Sequence, residues 1–196
     1  MKIALITGAS RGIGRALAQK FLASNYFVIG TSTSGKGSLN HENLKMFQLE
    51  LSSPQSIEKC AREISNFGRK IDILINNAGM VIEEEVNSSI IVPEYLRKTL
   101  EVNTIGVADF TERIIPLMND GGHILNVSSR AGSLGYEGYK LNYPAYRVSK
   151  TALNMITKVL ASRLAGKITV SAVHPGWVKT DMGGEDADVE PSEVAE

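Results

Sequence analysis

Cysteine is nearly absent: Cys60 stands alone among 196 residues. No internal disulfide can form, and a reducing compartment is expected. Histidine is scarce as well, and His41, His123 and His174 lie too far apart to suggest a metal-ligand cluster. No apolar run approaches the ~20 residues of a membrane-spanning helix. The apolar start Ile3-Ala4-Leu5-Ile6 runs straight into Gly8, too short for the core of a secretory signal. A cytoplasmic protein with no membrane contact is the expectation. No charge of one sign dominates, since 21 Lys and Arg balance 21 Asp and Glu. A nucleic-acid partner is therefore not suggested. The balance is uneven, however. Residues 185–196 hold six acids and no base, which leaves 21 bases against 15 acids in the remainder. That excess suits an anionic ligand, although a solvated acidic end explains it equally well.

What is present fits one domain over residues 1–196. The length allows a sizeable core, and the hydrophobic fraction of 43% is ordinary for a globular chain. Short runs rich in Ile, Val and Leu occur at residues 3–7, 26–30, 46–51, 71–75, 123–127 and 168–173. They read as buried parallel strands. Helical patterns lie between them, at 13–23, 54–67, roughly 94–118 with room for a break, and 146–164. In the clearest, Ser53 can cap, Pro54 suits the first position and Gly68 can end the helix. Ile57, Cys60, Ala61, Ile64 and Phe67 recur there at helical spacing, which makes Cys60 a core residue. Strand–helix alternation predicts an α/β fold, a Rossmann-type doubly wound parallel sheet with helices on both faces. The last residues, 191–196, read as a helix start with Ser192 as a possible cap. A single isolated turn is unstable, so a disordered or shortened end is expected.

Gly8, Gly12 and Gly14 sit between the first strand and the first helix. Glycine permits a tight turn and close approach of backbone to phosphate, and the helix start offers free N–H groups to an anion. Such a loop can also be only a turn. Tyr146 and Lys150 are four residues apart, which puts them on one helix face. A tyrosine has a pKa of about 10, and a neighbouring ammonium favours its phenolate, moving it toward acid–base work near neutrality. On an exposed helix the same pair is common and without meaning. Ser128 and Ser129 follow the fifth strand, at the sheet edge where parallel sheets place ligands. A hydroxyl there can hydrogen-bond a substrate carbonyl.

The spacing Gly-xxx-Gly-x-Gly, followed by Asn76-Asn77-Ala78-Gly79, then Asn103, the Ser128–Ser129 pair and Tyr146-xxx-Lys150, resembles the classical short-chain dehydrogenases/reductases, carbonyl reductases in particular. The resemblance runs from Met1 to about Met182. It implies a catalytic set of Asn103, Ser129, Tyr146 and Lys150, with Ser128 structural and Asn103 supporting a water in a proton relay to the lysine. It implies a cofactor held by Gly8, Ser10, Arg11, Gly12, Ile13 and Gly14, by Ser32, Glu50 and Leu51, and by Asn77, Ala78 and Gly79. Tyr146 and Lys150, then Pro175, Gly176, Val178 and Thr180, would complete that site. Glu50 stands where the family usually has Asp, which makes its adenine contact less certain. The second strand ends Gly30-Thr31-Ser32-Thr33, without the carboxylate that an NAD site usually offers to the ribose. Hydroxyls there, with Arg11 in the Gly loop, would accept a 2′-phosphate. NADPH is therefore expected over NADH, unless Arg11 is merely exposed.

Two departures accompany the resemblance. The segment between Ser129 and Tyr146 is a few residues longer than in the simplest members. Members also typically run on through a further helix and strand, without which the sixth strand would be an open edge. The expected activity is hydride transfer between NADPH and a carbonyl or alcohol. Leu134, Tyr136, Tyr139, Leu141, Tyr143, Trp177, Val81 and Ile82 are candidates to contact a small or medium apolar ketone or aldehyde, or else are loop packing. A non-catalytic NADP-binding sensor or scaffold stays as the alternative. A homodimer or homotetramer is the family default.

Overall fold

A computed structural model describes residues 1–136 and 141–196. Six parallel strands form one sheet in the order β3-β2-β1-β4-β5-β6. They are β1 (Ile3–Ile6), β2 (Phe27–Ser32), β3 (Leu44–Gln48), β4 (Ile71–Asn76), β5 (Met118–Val127) and β6 (Ile168–Val173). The order reverses direction between β1 and β4, the place where such sheets open a crevice for ligands. The Rossmann-type fold read from the strand–helix alternation is the fold of the chain.

Successive residues of the central strands feed opposite faces, as the two-residue period of a strand requires. Leu5, Ile29 and Leu74 join the core beneath α2 (Pro54–Asn66), α4 (Val107–Ile114) and α5 (Pro144–Arg163), around fully buried Phe110. Their neighbours Ile6, Val28 and Ile75 turn to the other face, under Ala18 and Leu22 of α1 (Gly12–Ala23). The central strands are thus apolar without alternation because both faces are covered.

Local signals explain the helix ends. Ser53 accepts the Ser56 N–H at 3.2 Å and Pro54 opens α2 as expected. The expected long helix at 94–118 is interrupted. It divides into α3 (Pro93–Leu100), a π-helical segment Glu101–Gly106, α4, and a short 3-10 turn Ile115–Leu117. The cause of the wide turn lies in packing. A Cβ on Gly106 would sit 2.0 Å from the Leu51 carbonyl oxygen, so the backbone there presses against the middle of the β3–α2 loop. β5 begins five residues earlier than its apolar run, at Met118, and carries an irregularity where it pairs with Ile71 to Ile73 of β4.

The end of the chain departs from expectation. Residues 191–194 form α6 (Pro191–Val194), capped reciprocally by Glu190 and Glu193 and not by Ser192. The turn persists because it is not isolated. It packs on α1, and ion pairs Lys179–Glu190 and Lys20–Glu196 tie it down. A bridge between Val178 and Val189 and a bond from Trp177 Nε1 to the Gly183 carbonyl fold residues 177–190 back on themselves. Among the described residues no strand pairs with the outer side of β6. No described helix is long and apolar enough to cross a membrane.

Candidate functional site

A cleft of about 1240 Å³ opens at the C-terminal ends of the strands. One end is the Gly-rich loop between β1 and α1, the candidate phosphate loop. Gly8 and Gly12 adopt positive φ of 69° and 52°. Helix α1 starts there, its N-cap Arg11 makes no side-chain capping bond, and no acidic residue occupies its first turn. Gly8, Ser10, Arg11, Gly12 and Ile13 line the cleft. Uncapped N–H groups at a helix start facing a cleft are a ready anion site.

Gly14 is not in the lining. It is buried, and a Cβ on it would lie 2.2 Å from the Gly8 carbonyl oxygen and 2.5 Å from Asn77 Nδ2. Its contribution is close packing of helix against loop. Asn77 holds that loop from below, its Nδ2 donating to the Thr7 carbonyl at 2.9 Å. Thr7 Oγ1 accepts the N–H groups of both Asn77 and Ala78 at 3.0 Å. Asn77, Ala78 and Gly79 line the floor of the cleft beside this joint.

Beyond this loop, Thr31, Ser32, Thr33 and Ser34 line the wall with Leu49 and Leu51. Glu50 stands off the cleft and its carboxylate accepts the Ser52 hydroxyl at 2.9 Å. Ser32 Oγ donates to the Lys36 carbonyl at 2.7 Å. Arg11 is exposed, as one reading allowed, but it is paired: its guanidinium lies 2.8 Å from Asp181.

The other end gathers the acid–base candidates. Ser129 and Tyr146 share one wall of the cleft, and Lys150 Nζ lies 5.6 Å from the centre of the Tyr146 ring. All three line the cleft. Ser128 donates to Asn154 Oδ1 at 2.6 Å, which anchors the serine pair to α5. Lys150 is buried and donates to the Val127 carbonyl at 2.8 Å. Burial pulls its pKa down to about 8. Tyr146 moves opposite to the sequence expectation. Burial raises its pKa above 10, partly offset by Ser129. A partly discharged lysine more than 5 Å away does little to counter desolvation of the phenolate.

Asn103 does not line the cleft. Buried within the π-helical segment, it accepts the Met80 N–H and donates to the Met80 carbonyl, both at 2.8 Å, and donates to Ser149 Oγ at 3.1 Å. Its side chain is spent on joining the Gly79–Met80 loop to α5. Pro175, Gly176, Val178 and Thr180 line the cleft together with His174, whose pKa is lowered by burial and by Arg130.

The chain as a whole is similar to known proteins. The sequence profile of short chain dehydrogenases matches residues 2–190. The chain belongs to the short-chain dehydrogenase/reductase family. It is similar to the 3-oxoacyl-[acyl-carrier-protein] reductase of Salmonella typhimurium, 36% identical over 190 residues, covering 92% of this chain and 75% of that protein. Among solved structures it is similar to an NADPH-bound carbonyl reductase from chicken fatty liver. The TM-score is 0.89 with 30% identity, covering 99% of this chain and 84% of that one. It is also similar to a 3-oxoacyl-[acyl-carrier protein] reductase of Brucella melitensis in complex with NAD. There the TM-score is 0.87 with 25% identity, over 99% and 87% of the two chains. This short-chain dehydrogenase/reductase is thus an oxidoreductase whose family uses a nicotinamide dinucleotide.

The cleft of this short-chain dehydrogenase also holds residues that the sequence did not single out. Arg15, Gln19 and Asp188 line it, as do Pro191 and Ser192, because the strap 177–192 crosses α1. Gly132 packs so tightly on α5 that a Cβ would come within 2.6 Å of the Lys150 backbone. No local pattern marks either feature, since both arise from contacts between distant segments. The apolar candidates divide. Val81, Tyr143 and Trp177 line the cleft, while Ile82 is buried away from it and Leu134 and Leu141 are exposed outside it. Tyr136 lies under the Arg130 guanidinium at 5.2 Å, and Tyr139 falls outside the described residues.

Proposed function

We propose that this chain is an NADPH-dependent carbonyl reductase acting through Ser129, Tyr146 and Lys150. The observation that carries the proposal is the gathering of Ser129, Tyr146 and Lys150 in one cleft with an uncapped helix N-terminus. The residues fit a dinucleotide, because a side chain at Gly8 or Gly14 would fill the space where loop, helix and Asn77 converge. Gly8, Ser10, Gly12 and Ile13 would hold the pyrophosphate, Arg11 a ribose 2′-phosphate, and Leu49 and Leu51 the adenine side. Pro175, Gly176, Val178 and Thr180 would border the nicotinamide. When bound, the cofactor supplies the hydride.

The chain's own groups supply the rest. Ser129 positions the carbonyl oxygen by hydrogen bonding. Tyr146 donates the proton to that oxygen, and its raised pKa keeps the phenol protonated near neutrality, as reduction requires. Lys150 lies beside the Tyr146 ring in the same cleft, and Asn103 holds the loop and helix that frame them. Preference for NADPH is supported by the hydroxyl-rich end of β2 and by Arg11, which would exchange its Asp181 partner for a 2′-phosphate.

Val81, Tyr143 and Trp177 favour a substrate with an apolar flank beside its ketone or aldehyde. Because the Salmonella relative is named a 3-oxoacyl reductase, 3-oxoacyl thioesters belong in the first panel with simple ketones and aldehydes. Oxidation of NADPH, followed at the nicotinamide absorbance, should proceed with apolar carbonyls and more slowly with charged ones. Binding of NADPH without turnover of any panel member would reject the catalytic reading in favour of a sensor or scaffold.

A further inference from the structure

Glu85 is buried to 1% exposure, although it ends a short 3-10 turn (Glu83–Glu85) whose other two glutamates are exposed. It lies 59 residues before the start of α5, yet the two are joined at several points. The Glu85 carbonyl accepts the Tyr143 N–H at 3.2 Å, and Glu85 Oε1 accepts the Ala145 N–H at 3.2 Å. Next to it, Asn142 Nδ2 donates to the Val86 carbonyl at 2.8 Å.

Helix α5 needs such help. Its N-cap, Tyr143, adopts a left-handed backbone with φ 57° and ψ 50° and offers no side-chain capping bond. That conformation is unfavourable for a bulky residue unless its surroundings impose it. The first residue of the helix, Pro144, has no N–H. The Ala145 N–H is therefore the first donor of the helix, and a carboxylate from another segment takes it. A negative group at this end also complements the helix dipole. The other oxygen, Oε2, is buried without a hydrogen-bond partner among the described residues. A carboxylate kept buried with one oxygen unpartnered is costly to the fold, which argues that its capping contact matters. Tyr146 follows Ala145 directly, and both Tyr143 and Tyr146 face the cleft.

We infer that Glu85 is a positioning residue: its carboxylate caps the first turn of α5 and so sets Tyr143 and Tyr146 toward the bound carbonyl. This rests on the reading of Tyr146 as proton donor. The full-length chain carrying Glu85→Ala, Glu85→Asp or Glu85→Gln tests it, with kcat expressed per site counted by NADPH titration. Glu85→Ala should lower kcat about tenfold or more, since displacements of about an ångström are costly to catalysis. The KM for NADPH should stay within about twofold, because the phosphate loop is untouched. Glu85→Gln keeps an acceptor of the same length and should recover most of the loss. Glu85→Asp, one methylene shorter, should fall between.

A Glu85→Ala protein that melts earlier but keeps wild-type kcat per site would reduce the role to stability and overturn the inference. Should that variant not fold, equal kcat in the Asp and Gln variants would overturn it instead. A wild type that turns over no carbonyl defeats the reading of Tyr146 first. An active wild type and inactive Tyr146→Phe, with unchanged Glu85 variants, defeats this inference alone.

Discussion

Gly14→Ala is the sharpest probe of the phosphate loop. The added methyl would lie 2.2 Å from the Gly8 carbonyl oxygen, 2.5 Å from Asn77 Nδ2 and 2.8 Å from the Gly8 carbonyl carbon. Two of these are backbone atoms and the third already bonds Thr7 and Gly8. Nothing nearby is a flexible chain end that could swing aside. Overpacking of this kind costs about 1–3 kcal/mol, and loosening an Asn77 bond adds about 1 kcal/mol. For a chain of this size each kcal/mol moves Tm by roughly 2–4 °C, so a total near 3 kcal/mol predicts a fall of roughly 6–12 °C. The same distortion should reach the anion site, and the stabilisation given by saturating NADPH, about 2.7 kcal/mol at one hundred times Kd, should shrink or vanish. Gly68→Ala is the control. Gly68 also has a positive φ, 72°, but nothing lies within 4 Å of its Cβ position. It should lose about 1 kcal/mol to backbone strain and respond to NADPH as the wild type does. Thermal melts of both variants with and without NADPH decide the matter. A Gly14→Ala protein with wild-type Tm and an undiminished NADPH shift would refute the reasoning.

Other outcomes follow from the charges around the cleft. Lys150 has a folded pKa of about 8 against an ordinary 10.5. Between those values the unfolded chain holds a proton that the folded chain has released, so stability should rise with pH from about 8 until Tyr146 begins to ionise in the unfolded chain above about 10. Relative to Lys150→Met, the wild type should gain on the order of 2–3 kcal/mol across that window, read by urea unfolding; parallel curves for the two proteins would contradict the buried-lysine picture. Arg11→Ala should weaken NADPH binding about tenfold or more while changing NADH little, whereas Asp181→Asn should tighten NADPH by no more than about fivefold, the limit for an exposed pair. Titration of both cofactors checks this, and equal losses for NADPH and NADH in Arg11→Ala would reject its assignment to the 2′-phosphate.

Features carried by local chemistry were legible in the sequence. The apolar runs of β1, β2 and β4 are covered on both sides and so read as strands from composition alone. Ser53, Pro54 and the spacing of Ile57, Cys60 and Ile64 placed α2 almost to the residue. Burial raises the Cys60 pKa to about 12, in keeping with a core thiol. Features set by distant contacts were not legible. The wide turn at 101–106 follows from the approach of Gly106 to Leu51, and α6 survives because α1 and Lys179 support it. The same division runs through the site. Spacing brought Tyr146 and Lys150 to one helix face, but it could not foretell the environment that raises the phenol's pKa and lowers the ammonium's. Nor could it show that Asn103 spends its side chain on Met80 and Ser149, or that Glu50 turns away from the cleft. Thr7 opens the Gly-rich run, but its part in tying that run to the end of β4 is seen only in its bonds to Asn77 and Ala78.

The central claim is that Tyr146 donates the proton in a carbonyl reduction. Its most direct test is the single-turnover rate of NADPH oxidation with the best carbonyl substrate, wild type beside Tyr146→Phe, with NADPH affinity measured on both. The account predicts a loss of about a hundredfold or more in rate, with cofactor affinity within about threefold. A Tyr146→Phe protein that reduces the substrate at the wild-type rate while binding NADPH normally would contradict it.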